Sequence, residues 1–144
     1  MNRKILHIAP QNFAGMPYGF MQMQKEAGNT TRLVTMFKNT LDFDEDLSLN
    51  FTLPVNKAAK KWRDSKMTGL KYYEPKNILE SFYFKLRDIK NASKINSFIN
   101  ENNLYDYEIY HFDGGMDFFR DLRFAKELKK RNKKIVCCYF GSDL

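Results

Sequence analysis

The chain has 144 residues, is 43% hydrophobic and 15% aromatic, and carries a formal net charge of +7 at pH 7. That length suits one domain with a sizeable core, and the composition excludes a disordered polypeptide. No apolar run approaches the roughly 20 residues of a membrane span, and the opening MNRKILHIAP lacks the length and cleavage site of a signal peptide, so a cytoplasmic protein is expected.

Residues 4–9 predict a short apolar strand with His7 as a core residue, and 10–15 a loop. Pro17 suits the first turn of a helix in which Phe20, Met23 and Ala27 recur at helical spacing until Gly28 stops it. Residues 32–37 (RLVTMF) predict the second strand. The stretch 39–54 is acidic and irregular, with a short strand near 51–55. Its run Asp42, Asp44, Glu45, Asp46 lacks the glycine and distal glutamate of a calcium loop and reads as solvated. Residues 56–69 predict a basic helix. Seven basic residues between 57 and 76 stand against Asp64 and Glu74, so +5 of the net charge is concentrated there. With Trp62, Tyr72 and Tyr73 among the lysines, this segment suits an anionic membrane surface, nucleic acid as second choice, or simply solvent.

Ile78, Phe82, Leu86, Ile89, Ala92, Ile95 and Ile99 follow at intervals of three or four and predict a long amphipathic helix, with Asn77 and Glu80 at its start. It ends at 100–103. Residues 107–112 predict the fourth strand, which Gly114 and Gly115 break. Phe118, Leu122, Ala125 and Leu128 then line one face of a helix closed by Lys129, Lys130 and Arg131, cations that suit its dipole. After the basic lead-in of Lys133 and Lys134, residues 135–140 predict a last, buried strand in which Cys137 and Cys138 are small core residues. They are the only cysteines, and their adjacency offers neither a structural disulfide nor a metal-ligand spacing. Alternating strands and helices predict an α/β fold with a parallel sheet and right-handed crossovers.

Three glycine-containing loops, 10–16, 113–116 and 141–144, should leave strand ends along one edge of that sheet, where α/β folds form their ligand crevice. A helix is expected directly after the first two, which would favour phosphate or another anion. Neither G-x-G-x-x-G nor a Walker A sequence is present.

The segments APQNFAGMP (9–17), YHFDGG (110–115) and CYFGSDL (138–144) resemble, in order and spacing, the first, fourth and fifth strand-end loops in the N-terminal domain of GT-B fold glycosyltransferases of the family 4-like, nucleotide-sugar-dependent kind. The resemblance implies a single Rossmann-like domain over 1–144, a parallel sheet flanked by helices, forming the incomplete half of a GT-B two-domain architecture. It implies an acceptor-side domain for transfer of a sugar from a nucleotide diphosphate sugar to a hydroxyl of a glycan or lipid-linked acceptor. Most donor contacts would come from a C-terminal domain or partner chain, with no metal or further cofactor, and the isolated chain would be inactive.

By the same resemblance His111 and Asp113 hold the catalytic positions, and Asp113 and Phe140 stand where the family usually has histidine. Asn12, Gly15 and Gly114 would lie near the donor diphosphate, and Gly141, Ser142 and Asp143 would border the cleft. Plainer roles stand beside these: a hydrogen-bonded structural histidine for His111, a helix cap for Asp113 or Asp143, and a turn glycine for Gly15. The alternative function is a non-catalytic, flavodoxin-like docking module that uses 57–76. A peripheral position at the inner membrane face and self-association through an exposed sheet edge are further expectations.

Overall fold

The apolar runs of the sequence become five parallel strands in the order β3-β2-β1-β4-β5. The computed structural model describes residues 2–37, 43–51, 77–119 and 121–139. Its strands are β1 (Lys4–Ala9), β2 (Thr30–Phe37), β3 (Leu47–Phe51), β4 (Ile109–Asp113) and β5 (Lys134–Cys138), and its helices α1 (Met16–Glu26), α2 (Ile78–Glu101) and α3 (Arg123–Lys130). The expected helix 56–69, the basic segment 57–76, and Phe140, Gly141, Ser142 and Asp143 lie outside the described residues.

Strand alternation sends neighbouring side chains to opposite faces of the sheet. On one face Leu6, Ile8, Val34, Met36, Leu49, Tyr110 and Phe112 meet Ile95 and Ile99 of α2 and Phe124 and Leu128 of α3. On the other, Ala9 and Leu33 meet Met21 of α1. The chain steps from β1 to β2 in one direction and from β4 to β5 in the other, so crossovers of the same hand must use opposite faces. The result is an α/β, Rossmann-like arrangement. Phe124 anchors the larger core, with ring centroids 5.0 Å from Phe118 and Tyr105 and 5.9 Å from Tyr110.

Several elements differ from the sequence expectation. Pro17 and Met21 form the buried side of α1, whereas Phe20 and Met23 are 36% and 63% exposed. Helix α1 covers β1 and β2 and reaches β4 through the Phe20 ring, 6.4 Å from that of His111, and among the described residues no helix lies over β5 on that face. For the same reason β5 is not a buried strand: among the described residues it pairs only with β4, and Val136 is 46% exposed. Cys137 is exposed and Cys138 half-buried, so neither is a core residue.

The helix expected from Phe118 onward begins only at Arg123. Phe118 enters the core from the preceding turn, and Leu122 precedes the helix with φ +58° and an exposed side chain. Asp117 explains the late start. Its buried carboxylate accepts hydrogen bonds from the Phe119 N–H at 2.8 Å and the Ala125 N–H at 2.7 Å, satisfying a donor that the young helix leaves open. Burial pushes its pKa up, and the two backbone donors resist that shift.

Asp117→Asn keeps one acceptor but turns an NH2 toward the second amide. Urea unfolding should show a loss of about 1–3 kcal/mol. Unchanged stability would mean that this carboxylate does not organise the start of α3.

Candidate functional site

β1 and β4 are neighbours, yet the chain leaves them in opposite directions, so the loops at their carboxyl ends diverge and open a crevice. This is the topological switch point of the sheet, the place where open α/β folds bind ligands. Of the residues singled out from sequence, Asn12, Gly15, His111, Asp113 and Gly114 all come to this edge. Parallel register sets His7 beside His111 and Asp113 beside Cys138.

The first loop is held from within. Pro10 accepts at its carbonyl from the N–H groups of Met36 (3.1 Å) and Phe37 (2.9 Å), tying the loop to β2. Asn12 is 2% exposed: its Nδ2 donates to the Asp44 carbonyl at 2.7 Å, and its Oδ1 accepts from the Tyr18 N–H at 3.2 Å. Asn12 therefore shapes the loop and caps α1, and its amide is spent inside the protein. Ala14 (φ +52°) and Gly15 (φ +71°) turn the chain into the helix. Two N–H groups that an anion would use at such a helix start are unavailable, because Pro17 has none and Asn12 takes that of Tyr18.

In the second loop Gly114 (φ +61°) and Gly115 (φ +66°) are both left-handed. The Gly114 N–H donates to the Cys138 carbonyl at 2.7 Å, and Gly115 lies beneath the Tyr139 hydroxyl so closely that a Cβ would collide with it. No helix begins directly after this loop. The start of α3 lies further on and is occupied by the Asp117 carboxylate, so the anion site expected there is absent.

Between the loops, on the α1 face of the sheet, runs a row of polar side chains. The His111 Nε2 lies 2.8 Å from the Cys138 Sγ, and its ring centroid is 4.9 Å from that of His7. His7 is 4% exposed, and neither of its ring nitrogens has a hydrogen-bond partner. Its pKa is depressed to about 4, first by burial and then by the neighbouring His111. Burial also lowers His111. Cys138 is pushed up by burial, then by the charges of Asp113 and Cys137. At neutral pH the contact is thus a neutral imidazole beside a thiol, and Cys138 is not an activated nucleophile. A neutral imidazole can exchange hydrogen bonds with a ligand hydroxyl, and Asp113, half-buried at the end of β4, places an acidic group beside it.

His7 is buried, as expected of a core residue, but neither it nor Cys138, Tyr139 and Asp117 was given a place at the crevice from sequence. For His7 a signal existed: it stands two residues before the end of its strand, as His111 does. Among the described residues no group of three or more His, Cys, Asp or Glu could hold a metal ion. Two surface hollows, of 380 and 310 Å3, lie away from the crevice, beside β2 and at the opposite sheet edge. Comparison with known proteins found no matching family, no matching curated relative and no matching solved structure.

Two predictions follow from the geometry of this site. An unfolded histidine takes up its proton near pH 6.5, whereas folded His7 resists until about pH 4. Its contribution is therefore complete above pH 6.5 and is lost as pH falls toward 4, amounting to about 3 kcal/mol over the interval. Unfolding measured across that range should show the slope, and His7→Leu should remove most of it. An unchanged slope would place the titrating group elsewhere. Gly115→Ala should destabilise the fold by about 1–3 kcal/mol through its positive φ and the Tyr139 collision. Pairing it with Tyr139→Ala should recover the collision part alone, and strict additivity of the two substitutions in a denaturation cycle would show that they do not touch.

Proposed function

We propose that this chain is the acceptor-side domain of a GT-B glycosyltransferase. In that role it would help move a sugar from a nucleotide diphosphate sugar to an acceptor hydroxyl, with a C-terminal domain or partner chain holding most of the donor. The observation that carries the reading is the convergence at the β1/β4 switch point of the loops 10–16 and 113–116, which bear the sequence resemblance.

In the transfer, the bond from the sugar's anomeric carbon to the diphosphate breaks and a bond to the acceptor oxygen forms. Such chemistry depends on placing the hydroxyl and stabilising the leaving group, and requires no protein nucleophile. The uncharged His111 suits the hydroxyl, as a hydrogen-bond acceptor able to receive its proton. Asp113 would orient a second hydroxyl of the acceptor. Gly15 and Gly114 keep the strand ends free of side-chain bulk beside it. Asn12 contributes by fixing the loop that carries Gly15.

A panel of nucleotide sugars and glycan acceptors tests this reading. The purified chain alone should give no transfer, while acceptor titration should shift the backbone amide resonances of Gly15, His111 and Gly114 ahead of others. Turnover by the chain alone would refute the need for a donor-binding partner. Silence of all three residues across the panel would refute the acceptor site.

A further inference from the structure

Helix α2 is longer than its share of the core requires. Its C-terminal half buries Ile95 and Ile99. Its N-terminal half leaves Ile78, Leu79, Phe82, Leu86 and Ile89 exposed, at 87, 82, 61, 51 and 61%. At about 100° per residue, Ile78, Phe82, Leu86 and Ile89 share an arc of about 80°, so they form one continuous apolar stripe on successive turns. A soluble surface rarely tolerates such a stripe without a purpose. Lys85 and Lys90, both exposed, flank it on either side.

In the sequence, the net charge of the chain is concentrated in the N-terminal half of α2 and the stretch that precedes it. Residues 57–94 contain eleven Lys or Arg and four Asp or Glu, a net of +7 that equals the net charge of the whole protein. The remaining residues carry thirteen of each sign and are neutral together.

We propose that the N-terminal half of α2 is an in-plane anchor for an anionic lipid surface. The stripe enters the boundary between head groups and acyl chains, and Lys85 and Lys90 extend their ammonium groups to lipid phosphates. The chemistry favours lipid over other occupants. Ile and Leu gain from hydrocarbon but cannot stack on bases as nucleic-acid binders require. A second copy of this chain would bring the same excess of positive charge against the first. The proposal is independent of the sugar-transfer reading, and either can fail without the other.

Co-sedimentation with phosphatidylcholine vesicles, with and without phosphatidylglycerol, provides the test. The chain should bind only the vesicles containing phosphatidylglycerol, and binding should fade as salt rises. Phe82→Ser together with Ile89→Ser should weaken it at least about tenfold, and Lys85→Glu with Lys90→Glu should weaken it too, with melting temperatures unchanged. Five results would overturn the proposal: vesicle binding that the stripe variants leave intact; no vesicle binding by the unaltered chain; a large fall in melting temperature, showing that the stripe is packed inside the protein; a dimer that the stripe variants dissociate; or tighter binding to poly(U) RNA than to the anionic vesicles at equal salt.

Discussion

Strand β1 is the constraint on which the rest of the architecture depends. It is hydrogen-bonded to β2 on one side and β4 on the other, and five of its six residues are buried. A strand so enclosed has no solvent face, which is why KILHIA reads as a continuous apolar run rather than an alternating one. Its central position forces the chain to depart toward β2 on one helix layer and return to β4 through the other, and the strand-end loops separate for that reason alone. The same enclosure fixes the state of His7. A ring that lacks a hydrogen-bond partner and is almost completely buried cannot carry a charge cheaply, so desolvation outweighs its intrinsic basicity. The polar row at the crevice is therefore a consequence of how the sheet is built.

Much of this was readable in the residues. The alternation of apolar runs and helical stripes located four of the described strands and the three described helices, because burial on a sheet or along a helix imposes the period, whereas β3 runs over Leu47–Phe51 and meets the strand expected at 51–55 in one residue only. Glycines marked the strand-end loops, since Gly114, Gly115 and Gly15 occupy left-handed backbone. What escaped notice depended on partners far along the chain. Cys137 and Cys138 follow an apolar lead-in, yet nothing in KKIVCC announces that a strand will lie at an edge with one face uncovered. Asp117 carried no expectation, because the amide of Ala125 that it accepts from sits beyond the local window from which a helix start is judged. Asn12 carried the right residue type for a ligand contact, but its two polar atoms were already committed to Asp44 and Tyr18.

The electrostatic layout bears on which ligand belongs at the switch point. Among the described residues, the side chains that meet there are His7 and His111, both driven toward the neutral form, a thiol with a raised pKa, Asp113, and the Phe20 ring 6.4 Å from that of His111. One of the two helix starts near the crevice has lost donors to Pro17 and Asn12, and the other is filled by Asp117. Such a crevice offers little to an isolated phosphate and more to a ligand rich in hydroxyl groups. The positive charge lies instead on 57–94, whose described part is the outer half of α2. On the proposed reading, a crevice lined by uncharged imidazoles and the Asp113 carboxyl group would suit a polyhydroxyl acceptor, and the donor's diphosphate would need its positive partners from elsewhere.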